Sequence, residues 1–402
     1  MPKIFVPDKK KKESGIIRNN SLKHKVFYIL SFDKKGAYMS YVSELSGILS
    51  QQLNWHKSRI DCLAQMLLAL FMVRSVNLSE IAVAMDGQTA SIDSRYKRVY
   101  RFFSQFELDF TWISRWIYAL FFTQEQKVYL AIDRTNWYWG KAKINVFMLS
   151  VCYEGIAIPL FWRLLNKSGS TTASEQIELL SRFINTFGKA PIQGVLGDRE
   201  FPNKTLIAWL VEEKIPFYLR IKGNVDVCIG KKKFKASAQL FSHLAPYQQH
   251  VFGMKVHVFG QSLYLAGSKN SRNELLIIAT NQPPKNAIAC YLRRWEIETL
   301  FAALKTKGWR FEETRVVAPK RIEKLLALLA LGFVWAHRIG EWKASIKPIR
   351  LKKIRNQKRP KNSFFRLGLD NLRDLLTNAK TNLKLFVKLA SWILFDKPET
   401  SF

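Results

Sequence analysis

Apolar positions along this chain recur with two different periods, and the change of period divides it. From Met39 to about Phe106 the spacing is helical: Leu63, Met66, Leu67, Ala69, Leu70 and Phe71 make one apolar helix with Arg59 at its start. Asn77–Met85 reads as a short capped helix, Asp86 to Thr89 as a turn, and Ser91–Phe103 as a second helix. From Lys127 the period shortens to that of strands, at Lys127–Asp133, Ile144–Tyr153 and Ile156–Leu164, with a tight turn at Glu154–Gly155. Pro159 inside the third run predicts an edge position or a bulge. A helix from about Ser174 to Phe187, the strand Ile192–Asp198, a helix starting near Pro202 and the strand Phe217–Lys222 follow. The alternation is again strand-like at Val251–Phe259, Ser262–Ala266 and Leu275–Ala279. Helices are then predicted at Tyr291–Lys305, Arg321–Trp342 and Leu372–Phe395.

Three antiparallel strands followed by helix–strand–helix–strand is the order of an RNase H-like α/β domain. The predicted organisation is a helical, helix-turn-helix-like DNA-binding domain over 39–125 and an RNase H-like domain over 126–340. The latter carries a β-rich insertion at about 223–285, and a basic loop with C-terminal helices occupies 341–402. Residues 1–38, with ten basic and three acidic side chains by count, are expected to be a disordered arm. Met39 is a second candidate for the native start, because the ordered-looking pattern begins there.

Charge changes the picture most. Lys plus Arg number 64 against 31 Asp plus Glu, a formal net charge of +33. That excess points to a polyanion, above all nucleic acid. No apolar run approaches the roughly 18 to 20 residues of a spanning helix; Leu325–Ala336 reads as a buried helix instead. Four scattered cysteines with no CxxC predict reduced thiols in a cytoplasmic protein rather than disulfides or a zinc site. Arg95, Arg98 and Arg101 give the second N-terminal helix a basic face, which fits a DNA-reading helix or an ordinary solvated bundle face. Lys343 to Arg366 holds ten basic residues and no acid, suited to phosphates, and Pro348 and Pro360 predict a loop there.

Candidate chemistry gathers at three acids. Asp133 and Asp198 each end an apolar strand, and each is followed by an arginine. In an RNase H-like sheet those strands are neighbours, and two carboxylates brought that close repel unless a dication lies between them. At about 100° per residue, Tyr291, Arg294, Glu298 and Lys305 fall within roughly a 60° arc, beside an apolar stripe of Ile297, Leu300 and Leu304. Glu296 points about 140° away from Tyr291. Three hard oxygen donors suit Mg²⁺ or Mn²⁺. Two such ions about 4 Å apart serve in-line attack on a phosphodiester. The competing reading is a solvated face with an Arg294–Glu298 pair. Arg220 and Lys222 end a strand near the same edge, as phosphate contacts or as surface ion pairs. Thr135 and Asn136 are candidates to orient Asp133, to bond DNA or to cap a turn, and Trp137 and Trp139 to stack on bases or to fill the core.

Asp133-Arg-Thr-Asn-Trp137, Gly197-Asp-Arg-Glu-Phe201 and Tyr291-x2-Arg294-x3-Glu298-x6-Lys305 resemble the DDE transposases of bacterial insertion sequences, specifically the insertion-sequence-4 family. That family's Tyr-Arg-Glu-Lys spacing is matched at all four positions, and the likeness runs from about Met39 to Leu375. The resemblance implies Asp133, Asp198 and Glu298 as a metal-binding triad for Mg²⁺ or Mn²⁺, with Tyr291, Arg294 and Lys305 on the phosphates of the element end. It implies a homodimer on double-stranded DNA that nicks the terminal inverted repeats and joins the 3′-hydroxyl ends to target DNA, without a membrane partner. Some relatives pass through a DNA hairpin held by an aromatic wedge. No Trp occurs between Lys222 and Trp295, so a wedge here would be Phe or Tyr, or come from outside the β-rich insertion. The alternatives are a DNA-binding protein without chemistry, and an RNase H-like nuclease that cuts without joining.

Overall fold

The computed structural model describes residues 32–86, 90–230, 233–354 and 357–395, and within them the protein is a mixed α/β structure with one large sheet. The expected arm lies outside the described residues up to position 31, as do residues 87–89 of the predicted turn. Helices α1 (Phe32–Ser50), α2 (Lys57–Val73), α3 (Leu78–Ala84), α4 (Ile92–Gln105) and α5 (Phe110–Ala119) precede the sheet. Their N-termini are capped where the sequence supplies short polar side chains. Asn77, Ser91 and Asp109 accept the backbone N–H of Ser79, Ser94 and Trp112 and so satisfy otherwise orphaned donors. Helix α2 is buried almost all round, which explains its run of apolar residues with little polar interruption.

The sheet begins with β1 (Val128–Trp139), β2 (Ala142–Tyr153), β3 (Ile156–Leu164), β4 (Ile192–Gly197) and β5 (Phe217–Ile221), crossed by α6 (Ala173–Phe187) and α7 (Lys204–Glu212). Spatial order is β3-β2-β1-β4-β5: the first three are antiparallel, and β4 runs parallel to both β1 and β5. Pro159 lies on the edge strand β3, opposite Ser150, where the register shifts. Its missing N–H therefore costs the ladder little. Strands β6 (Asp226–Ile229), β7 (Lys233–Ala236), β8 (Gln249–Val251), β9 (Val256–Val258), β10 (Gln261–Lys269) and β11 (Leu275–Thr280) follow. They continue the same sheet, because β11 pairs antiparallel with β5 and β10 lies next to it.

The C-terminal part departs from the predicted elements. The single helix expected over Tyr291–Lys305 is α8 (Ala287–Leu292) and α9 (Trp295–Leu304). Between them Arg294 N–H bonds Tyr291 O and Ile297 N–H bonds Arg294 O, a local tightening to three-residue spacing. Helix α10 (Pro319–Ile346) is buried through its middle. The basic stretch expected as loop forms a hairpin, β12 (Leu351–Ile354) and β13 (Gln357–Pro360), whose ladder satisfies the backbone that charge density alone left unassigned. The final helix is two: α11 (Phe364–Thr377), which starts early on a Ser363 cap, and α12 (Ala379–Phe395). Helices α10 and α11 meet at glycines. A Cβ on Gly368 would fall 1.7 Å from Ala336 O, and one on Gly340 1.8 Å from Phe364 O.

Candidate functional site

Pairing between β1 and β4 ends at Ile132 opposite Gly197, so Asp133 and Asp198 are the next residue on each strand where β4 stops. Beyond that point β1 does not end, as its polar residues suggested, but continues on the β2 ladder to Trp139 opposite Ala142. Asp133 thus sits on a strand that outruns its parallel neighbour, at the carboxyl end where open α/β sheets place ligands. The third acid arrives from α9, whose Ile297, Leu300 and Leu304 are buried as the predicted stripe requires.

Arg294 joins these acids. Its Nη1 donates to Asp133 Oδ2 at 3.0 Å, its Nη2 to Glu298 Oε1 at 2.7 Å, and its Nε to the Tyr291 hydroxyl at 3.2 Å. Tyr291 in turn donates to Asp198 Oδ1 at 3.2 Å, and Arg220 Nη1 reaches the same oxygen at 3.3 Å. Tyr291 and Arg294 are buried, whereas Glu298 is partly open to solvent. Six predicted residues, Arg220 among them, therefore form one hydrogen-bonded cluster. Among the described residues no three His, Cys, Asp or Glu side chains are placed to hold a metal together. A guanidinium stands between the carboxylates instead.

The two aspartates differ electrostatically. Burial pushes the Asp133 carboxyl up to about 6, against the pull of Arg294 and the Arg134 N–H; the charges of Glu200 and Asp198 push the same way as burial. Burial also works on Asp198, but there the Arg199 N–H, the Arg294 and Arg220 guanidiniums and the Tyr291 hydroxyl outweigh it. Asp198 is held below the usual carboxylate range. The Tyr291 phenol is pushed up to about 12, chiefly by burial, so it is a donor at neutral pH. For Arg294, the Tyr291 hydroxyl and the surrounding carboxylates overcome burial and hold the guanidinium charged.

The remaining predicted residues are more scattered. Lys305, just past α9, donates to Asn136 O at 3.4 Å and lies 5.0 Å above the Trp137 ring. Burial lowers its pKa. Asn136 caps no turn, since β1 runs through it. Trp137 is buried edge-on to Phe311, whereas Trp139 and Trp295 are exposed. Lys222 is exposed just past β5. On α4, Arg95 donates to Met85 O at 2.5 Å and Val83 O at 3.1 Å, and Arg98 to Ser58 O at 3.2 Å. Arg101 is exposed, with one long contact to Lys97 O on its own helix.

Periodicity missed one group. Arg134 grips Glu200 through Nε at 2.9 Å and Nη2 at 2.5 Å, and its Nη1 reaches Asn145 Oδ1 and Gly169 O. Asn145, fully buried, donates to Lys167 O and Gly169 O. This network ties the loop after β4 to β1, β2 and the loop before α6, and so holds both aspartate-bearing segments in place. The available signal was an arginine inside an apolar strand, which must find a carboxylate if it is buried.

Residues 124–335 match the family model described as the transposase DDE domain. No protein of curated function matches the chain. A solved piggyBac transposase synaptic complex with hairpin DNA has a TM-score of 0.46 at 11% identity, covering 94% of this chain and 86% of that one.

Proposed function

This chain belongs to the family of transposases built on the DDE domain, and from that premise we propose that it cuts DNA at the terminal inverted repeats of an insertion sequence and joins the freed 3′-hydroxyl ends to target DNA. The carrying observation is the meeting of Asp133 and Asp198 where β4 ends, with Glu298 brought to them through Arg294. The strand order β3-β2-β1-β4-β5 supports an RNase H-like catalytic domain. The Tyr291, Arg294, Glu298 and Lys305 spacing supports the insertion-sequence-4 branch.

The donor chemistry, three carboxylates with no nitrogen or sulfur ligand among them, suits a hard dication such as Mg²⁺ or Mn²⁺, which would have to replace the Arg294 guanidinium that stands between Asp133 and Glu298. Asp133, raised by burial despite its guanidinium partner, is a carboxylate still short of positive charge. Asp133, Asp198 and Glu298 would hold the ions, which when bound supply an activated water and charge stabilisation for the leaving oxygen. The chain's own residues do the rest. Tyr291 and Arg220 orient Asp198, and Arg294 aligns Asp133 with Glu298. Lys305 places a cation beside the extension of β1, where a phosphate can approach. A homodimer on two DNA ends, with α3 and α4 as its helix-turn-helix-like reader, completes the proposal.

One observation favours a second reading, a DNA-binding protein without chemistry: the Arg294 guanidinium occupies the space among the acids. One experiment separates the two. A labelled duplex carrying the flanking inverted repeat is incubated with and without Mg²⁺, beside Asp198→Asn. Metal-dependent cleavage at the repeat tip, absent in the variant, is expected; tight binding without cutting in Mg²⁺ or Mn²⁺ would leave the binding protein.

A further inference from the structure

A cleft of about 790 Å³ opens beside Glu298, between α9 and the start of α11. Four basic side chains line it, Arg74, Lys307, Lys361 and Arg366, against two acids, Glu298 and Asp370. Asp370 is already engaged: Arg366 Nε lies 2.7 Å and Arg74 Nη1 3.9 Å from its oxygens. Lys307 and Lys361 are exposed on the walls.

Arg74 closes α2 in the left-handed region, at φ 54, with its backbone N–H on Leu70 O. Its Nε is buried and has no hydrogen-bond partner among the described residues. A buried unpaired donor is expensive, and such groups ordinarily mark the place of a water or ion. Burial lowers the pKa of Arg74. The guanidiniums of Arg366, Arg373 and Arg310 lower it further, opposed by Asp370. Cations crowded around a single carboxylate are short of negative charge, and an anion entering the cleft relieves that repulsion.

We propose that this cleft seats consecutive phosphates of the DNA strand that passes Glu298, with Arg74, Arg366, Lys307 and Lys361 as the phosphate contacts. Asp370 is a positioning residue that holds the two arginines side by side. The proposal rests on the transposase reading. It adds the direction in which the strand leaves the acids: along α9 toward the hairpin of β12 and β13, which is itself basic. The polyanion is recognised by backbone charge, so the site is indifferent to base sequence.

The test measures binding of a fluorescein-labelled duplex by the full chain in EDTA, over a series of salt concentrations. Lys307 and Lys361 are exposed, so Lys307→Ala, Lys361→Ala and the double variant should fold as the parent does. Each cation that meets a phosphate contributes a slope of about 0.9 in log affinity against log salt. The double variant should therefore lose a slope of about 1.8 and on the order of tenfold in affinity at moderate salt. Arg366→Ala should add to that loss. Lys189→Ala, whose lysine is engaged with Glu213, should keep the parental slope. An unchanged slope in the double variant overturns the cleft, even where the parent cuts DNA in an Asp198-dependent way. A lowered slope in a chain that never cuts sustains the cleft and sinks the enzyme.

Discussion

Arg294 Nη1 donates to Asp133 Oδ2 at 3.0 Å, and only 9% of the Arg294 side chain is exposed. The guanidinium is thus the counter-ion of a largely buried carboxylate. Removing one partner of a buried pair leaves the other uncompensated, at a cost of about 3–5 kcal/mol. Glu298 is more open and recovers part of its loss in water. Arg294→Met should therefore lose about 3 kcal/mol in urea unfolding performed in EDTA. Added Mn²⁺ should restore part of it, because a dication supplies the missing charge. Full stability of the variant in EDTA would remove Arg294 from this role.

Asp133 gives a pH dependence of definite sign. Burial foremost raises its carboxyl from 3.8 to about 6 in the folded chain. Between those values the native state binds more protons than the unfolded state, so stability falls as pH rises through the window. Asp133→Asn copies the protonated form. The stability of this variant relative to the parent should therefore grow from pH 4 to pH 7, by on the order of 2 kcal/mol, in metal-free buffer. A difference that stays constant over that range would mean that Asp133 is not short of positive charge.

Arg134 and Glu200 form a two-point ion pair with side chains 11% and 27% exposed. Glu200→Ala strands the guanidinium and should cost about 3 kcal/mol. It should also slow cleavage, since the loop bearing Asp198 loses its tie to β1. The double variant Arg134→Met, Glu200→Ala should recover part of the stability but not the rate. Additive losses in the double-mutant cycle would show that the two side chains act independently.

The ladder of β1 to β5 was legible because strands buried on both faces carry long apolar runs, and the acids stand where those runs break. Side-chain direction was harder to read. Ideal helical spacing placed Tyr291, Arg294 and Glu298 on one edge, suited to a metal ion beside a phosphate backbone. It could not tell that the edge turns inward onto Asp133, 161 residues away along the chain. Likewise the first strand read as ending at Asp133 because polar residues interrupt the apolar run there, whereas the ladder to β2 carries it onward. Long-range pairing leaves little periodic trace, so β11 beside β5 was missed too.

The same blindness separates the arginines of α4, and it can be tested directly. All three read from sequence as one basic face, but Arg95 is spent on the carbonyls of Val83 and Met85 at the end of α3. Arg101 faces solvent, with one long contact to its own helix. Arg95→Ala leaves two half-buried carbonyls without their donor and should cost about 1 kcal/mol of stability. Its salt slope for DNA should match the parent. Arg101→Ala should do the reverse, with unchanged unfolding and a slope lower by about 0.9. Thermal unfolding and a salt series on the same two variants decide it. A lowered slope for Arg95→Ala, without loss of stability, would return that residue to the DNA-reading face.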